Sequence, residues 1–152
     1  MKLLDVNVLL YAFRKDVEQH SSYRRWLMGQ LGSGQELGIP DVTAYGFMRV
    51  VTHPKIFQNP SSRDEAFSFI DTLRAHPRLR SVLPSSRTWE AFKTLCVASA
   101  ARGNLMTDAW IAALAMEHGA VVVSADKDFA RFPGLWRQHP IQHPEPIQNP
   151  PS

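Results

Sequence analysis

Three aspartates carry the chemistry open to this chain: Asp5, Asp108 and Asp126. Asp5 interrupts the apolar run Leu3-Leu4 almost at the N-terminus. Asp126 follows the run Ala120-Val121-Val122-Val123, and Asp108 opens an apolar helical segment. Each alone has an ordinary explanation as a helix N-cap. Together they share a position. Asp5 and Asp126 stand at the carboxyl ends of strands, and Asp108 starts a helix that feeds back into the sheet. In an open α/β sheet these places lie along one edge, where ligands bind. Converged carboxylates repel one another unless they are protonated or meet a cation. No histidine or cysteine lies near them in sequence, so the matching ion is hard, Mg²⁺ or Mn²⁺. Such ions bind phosphate oxygens and activate water for in-line displacement. An acidic metal pocket in a basic protein implies a phosphodiester substrate.

The elements that must position these residues follow from periodicity and punctuation. Leu3-Leu4 reads as a buried first strand, with a short helix over Val6 to Phe13. His20 to Leu31 has helical spacing, with Tyr23, Trp26, Leu27 and Leu31 on one face. Leu37 to Ile39 is a second strand, stopped by Pro40. A helix opens at Asp41, takes Val42, Tyr45, Phe47 and Val50 as apolar positions, and closes at Thr52-His53-Pro54. Ser62 and Glu65 have capping-box spacing ahead of a helix through Phe67, Phe69, Ile70 and Leu73. Ser81-Val82-Leu83 is a third strand, and Thr88 to Ala100 a helix. Thr107-Asp108 caps Ala109 to His118, which stops at Gly119. Ala120 to Val123 is the clearest strand, and Leu135 to Arg137 a final edge strand. Strands and helices alternate, which calls for a mainly parallel sheet covered on both faces, a three-layer α/β/α sandwich. Convergence of the aspartates requires the first and fourth strands to be neighbours.

The 152 residues suffice for one domain. Residues 138–152 are rich in Gln, His, Pro and Asn. They read as an extended or disordered tail that builds no core, leaving residues 1–137 as the domain. No run is long enough to span a membrane, and Met1-Lys2 leads straight into a strand, so no signal peptide is expected. The lone Cys96 excludes a disulfide framework or a multi-cysteine zinc site and fits a reducing, cytoplasmic setting. Cys96 shares an apolar helix face with Phe92 and Leu95. Seventeen Lys and Arg face fourteen Asp and Glu, and Arg outnumbers Lys. Arginine suits bidentate phosphate recognition, although a codon bias toward Arg explains the excess equally well.

Four segments in order resemble the PIN-domain family and, within it, the VapC toxins of bacterial toxin–antitoxin pairs. They are Leu4-Asp5-Val6-Asn7-Val8-Leu9-Leu10-Tyr11, Gly46-Phe47-Met48-Arg49-Val50-Val51-Thr52-His53-Pro54, Gly103-Asn104-Leu105-Met106-Thr107-Asp108-Ala109, and Ser124-Ala125-Asp126-Lys127-Asp128-Phe129-Ala130-Arg131-Phe132. The resemblance spans about residues 2–137 and implies a PIN-like sandwich with metal-dependent RNA cleavage. It also implies a homodimer neutralised by a cognate VapB antitoxin. PIN domains commonly carry a glutamate just before the aromatic–aliphatic–Arg run of the third helix. Here that position is Gly46, which leaves fewer carboxylates for a second metal. Asp41 lies about a turn earlier, and reads more simply as an N-cap.

Around the three aspartates, Asn7, Thr107 and Ser124 are placed to bond carboxylates or water, or to satisfy turn backbone. Asp128 is either an additional ligand or a solvated turn residue. Arg49 and Arg102 suit phosphates, with ion pairing to the acidic cluster as the competing role. His20 and His53 read as structural, and His139 and His143 as tail residues. The four tryptophans read as core or interface. Two other functions compete. A haloacid-dehalogenase-like phosphatase also begins with Asp after its first strand, but needs a second Asp where this chain has Asn7. A non-catalytic PIN-fold module for RNA or protein binding draws its support from Gly46.

Overall fold

A computed structural model describes residues 1–152. Its sheet has six strands in the order β3-β2-β1-β4-β5-β6. The strands are β1 (Lys2–Leu4), β2 (Leu37–Gly38), β3 (Leu79–Arg80), β4 (Val121–Val123), β5 (Trp136–His139) and β6 (His143–Gln148). The pairs β1–β2, β1–β4, β2–β3 and β4–β5 are parallel, and only β5–β6 is antiparallel. The helices are α1 (Val6–Phe13), α2 (His20–Gly32), α3 (Asp41–Val51), α4 (Arg63–Arg74), α5 (Ser86–Ser99) and α6 (Leu105–Glu117). A 3-10 turn spans Lys127–Arg131.

The two-residue period of the central strands supplies both cores. Leu3 and Val122 face one side and pack with α5, α6 and the 3-10 turn. Leu4 and Val123 face the other and pack with α1 to α4. This is the three-layer sandwich, with β1 and β4 in contact at its centre. Gly38 belongs to this packing. A Cβ there would lie 2.6 Å from both Leu3 Cδ2 and Val82 Cγ2, so two apolar side chains close over the bare backbone of β2. Helix α6 is buried around its circumference, with Ala109 and Ile111 to Ala115 all inaccessible, as befits a helix without a polar face.

Several sequence expectations are corrected. The third strand lies at Leu79–Arg80 rather than at Ser81 to Leu83. Val82, just beyond it, is buried in the core. Tyr45 and Phe67, read as apolar core positions, are 69% and 52% exposed. Trp89 and Trp136 also stand half out in solvent, while Trp26 and Trp110 pack partly buried against the cores. The C-terminal residues are ordered by pairing, because β6 adds a sixth strand to the sheet. Asn149 is buried there. Its Nδ2 donates to Phe129 O (2.8 Å) and Phe132 O (2.7 Å), and its Oδ1 accepts from Arg137 Nε (2.7 Å).

Candidate active site

Asp5 leaves β1 as the N-cap of α1 and is only 6% exposed. Its backbone N–H donates to Val123 O at 3.1 Å, which fastens the end of β1 to the end of β4. The carboxylate accepts three hydrogen bonds. Oδ1 takes Val6 N–H at 2.7 Å, and Oδ2 takes Asn7 Nδ2 at 2.8 Å and Ser124 Oγ at 2.7 Å. Asn7 Oδ1 in turn accepts from Ala125 N (3.0 Å), and Ser124 Oγ from Asp126 N (2.9 Å). Asn7 and Ser124 therefore stitch the ends of β1 and β4 together. Burial pushes the Asp5 carboxyl up; its hydrogen bonds oppose that shift, and the Asp126 charge adds to it.

Asp126 caps the 3-10 turn, with Oδ1 accepting from Asp128 N at 2.8 Å. Asp108 lies elsewhere than expected on its helix. Helix α6 begins at Leu105, so Asp108 sits inside the first turn instead of at the cap. It makes no capping hydrogen bond, and the capping explanation does not account for it. Carboxylate oxygens of Asp108, Asp126 and Asp128 all lie within 4.8 Å of one another. Asp108 is pushed up to about 7, first by burial and then by the charges of Asp5, Asp126 and Asp128. That shift occurs although the positive end of α6 favours the ionised form.

A divalent ion fits this donor set. The ligands are all carboxylate oxygen, which suits Mg²⁺ or Mn²⁺. No Lys, Arg or His side chain forms an ion pair with Asp5, Asp108 or Asp126, and Asp128 reaches only Arg131 at 3.9 Å. Apart from that long pair, the cluster has no ion-pair partner within the protein. Asp108, Asp126 and Asp128 would hold the ion, with Asp5 beside them, its carboxylate already fixed by three donors.

Thr107 is exposed, one residue before Asp108, and donates no side-chain hydrogen bond. Arg49 is exposed and lines a groove between α3 and α4. Arg102 is exposed in the turn before α6. Neither arginine pairs with an acid. Asp41 is the first residue of α3, not its cap, and its carboxylate binds Arg74 at 2.6 Å. His20 Nδ1 donates to Tyr11 O and is structural. Gly46 has a packing cause: a Cβ there would meet Val6 Cγ2 at 2.9 Å. The valine directly after Asp5 occupies the space a third-helix side chain would need.

The PIN domain family model matches residues 2–135. The chain is 41% identical over 141 residues to ribonuclease VapC43 of Mycobacterium tuberculosis, covering 93% of this chain and 96% of that protein. The chain belongs to the PIN-domain family, in its VapC group. Ribonuclease VapC25 of the same organism is 39% identical over 132 residues, covering 87% of this chain and 93% of that one. Among solved structures, VapBC2 from Rickettsia felis bound to a promoter DNA fragment aligns with TM-score 0.68 at 20% identity, over 90% of this chain and 96% of that one. VapBC-1 from nontypeable Haemophilus influenzae aligns at 0.65 and 18% identity, over 93% and 98%. These likenesses support the PIN fold. The phosphatase alternative is set aside: Asn7 stands where that chemistry needs an acid, and its side chain is spent on Asp5, Ser124 and Ala125. No helix is long and apolar enough to cross a membrane.

Proposed function

We propose that this PIN-domain protein is an endoribonuclease, dependent on Mg²⁺ or Mn²⁺, and the toxin of a VapBC-type pair in the cytoplasm. The observation that carries the reading is the unneutralised carboxylate cluster at the joined ends of β1 and β4, with Asp108 pushed up to about 7. Asp108, Asp126 and Asp128 would hold a divalent ion, which would supply a metal-activated water at neutral pH and charge neutralisation at the scissile phosphate. Asp5, locked by Val6, Asn7 and Ser124, keeps the arrangement preorganised. A bound cation would favour the ionised form of Asp108, against the burial and neighbouring charges that raise it to about 7.

The identity to VapC ribonucleases supports an RNA substrate. The VapBC complexes among the structural relatives support a VapB antitoxin as partner, and the acidic cluster suits a basic side chain of that partner. A homodimer is part of the same reading, and the exposed apolar side chains of α3, α4 and α5 leave room for both contacts. The test is cleavage of single-stranded RNA with and without Mg²⁺ or Mn²⁺, beside hydrolysis of a phosphomonoester. RNA cleavage that requires the ion and leaves the monoester intact is the expected result. An ion-loaded protein that leaves RNA whole makes it a binding module.

A further inference from the structure

Beside the acidic cluster lies a second feature, a cavity of about 290 Å³ between the 3-10 turn and the β5–β6 hairpin. Asp126 of the cluster and Ser124, which bonds Asp5, both line it, so the cavity adjoins the acidic site. Its other walls differ in charge. Lys127 and Arg137 line it, and Lys127 forms no ion pair. Arg137 gives its Nε to Asn149 and makes no hydrogen bond from its terminal nitrogens.

The hairpin adds groups suited to a planar polar ligand. His139 Nδ1 accepts from Ile141 N (3.1 Å) and Gln142 N (2.9 Å), so the neutral ring carries its proton on Nε2. Burial and the neighbouring His143 hold this imidazole toward its neutral form. Gln138 donates its Nε2 to Pro144 O at 2.6 Å, while its enclosed Oε1 has no partner.

We propose that this cavity is the subsite for the nucleotide adjoining the scissile phosphate of a single-stranded RNA, with Lys127 and Arg137 facing its phosphate and the hairpin side chains its base. The inference rests on the ribonuclease reading. A chain whose phosphate lies at Asp126 brings its next nucleotide within reach of this cavity, which Asp126 also lines. Cations next to an acidic centre also match a substrate whose charge alternates with neutral, hydrogen-bonding bases.

Two measurements test it. The first is amide NMR of the full chain titrated with adenosine or uridine monophosphate, with inorganic phosphate as control. Shifts confined to residues 124–130 and 136–143, larger with the nucleotides than with phosphate, are expected. Equal shifts with phosphate alone, or none in these segments, overturn the subsite. The second is RNA cleavage by Lys127→Ala and His143→Ala, both exposed positions that leave the core untouched. KM should rise by about fivefold or more with kcat within about twofold, and preferred cut sites should change. If the native protein cuts RNA and both variants match it in KM and cut sites, the subsite fails and the ribonuclease reading stands. If the native protein cuts no RNA while nucleotides still shift these amides, the ribonuclease reading fails and the cavity stands as a nucleotide site.

Discussion

Asp5 and Asp108 differ in what surrounds them, and so in what their loss should do. Asp5 Oδ2 accepts from two donors at once. In Asp5→Asn the new amide can still cap α1. If its nitrogen takes the Oδ2 place, it faces the Asn7 Nδ2 donor without an acceptor between them. Stability should fall by about 1 kcal/mol, less whatever relief comes from removing a charge. RNA cleavage should fall by at least about 100-fold, with Mn²⁺ affinity in calorimetry falling alongside. Wild-type cleavage by this variant would remove Asp5 from the mechanism. Asp108 sets a pH dependence instead. Its carboxyl is raised to about 7 from an ordinary 3.8, so the folded protein holds a proton that the unfolded chain has lost. The associated stability is present below pH 4 and is lost as pH rises through 7. Without divalent ions the melting temperature should fall by a few degrees between pH 5 and pH 8, on the order expected for a chain of this size. Asp108→Asn should flatten that slope, and saturating Mg²⁺ should offset it. A melting temperature independent of pH in the metal-free protein contradicts the raised carboxyl.

At the scale of elements, two contacts decide how the site is framed. Helix α3 crosses α1 where Gly46 lies under Val6. Gly46→Ala gains about 1 kcal/mol of helix propensity. It also drives a methyl into a stiff β-branched side chain, at a cost of about 1–3 kcal/mol. Denaturant melts should show net destabilisation for Gly46→Ala, smaller or reversed on a Val6→Ala background. Equal effects on both backgrounds would mean that Val6 is not the obstacle. The β5–β6 hairpin depends on Asn149, which is 4% exposed and bonds the carbonyls of Phe129, within the 3-10 turn, and Phe132, just after it, as well as Arg137. Asn149→Ala strands these groups and should cost about 3 kcal/mol. A variant as stable as the parent would restore the reading of residues 138–152 as a tail that adds nothing to the core. Pro144 and Pro146 on β6 offer no N–H to another chain, a common protection for a strand at the edge of a sheet.

Across the whole molecule, charge and apolar surface are segregated. The formal net charge is +3, yet Asp108, Asp126 and Asp128 cluster with Asp5 close by, and the cations Lys127 and Arg137 line the adjoining cavity. Tyr45 and Phe67 stand exposed over a groove of about 640 Å³ between α3 and α4, also lined by Met48, Arg49 and Arg63. Large exposed apolar side chains ringed by charge mark interaction surfaces. Tyr45→Glu should weaken capture of the cognate antitoxin by about tenfold or more in calorimetry, while leaving the melting temperature within a degree or two because the side chain touches little of the core. Unchanged affinity would move the antitoxin contact to another face.

The sequence by itself determined the alternation of strands and helices and the placing of Asp5 and Asp126 after strands. Those features depend on local periodicity, caps and breakers, which act within a few residues. It also carried the four segments that mark the PIN family. Only the tertiary structure decided which groups meet. Ser124 reaches Asp5 across 119 positions of sequence. Asp128 enters the carboxylate cluster because the 3-10 turn brings it back toward α6. Gly46 is explained by a side chain forty residues earlier. The C-terminal residues, poor in apolar side chains, gain order from β5 and from the bonds of Asn149 rather than from a hydrophobic pattern. Pairings of this kind leave no periodic trace, because their free energy belongs to contacts that exist only once the chain has closed on itself.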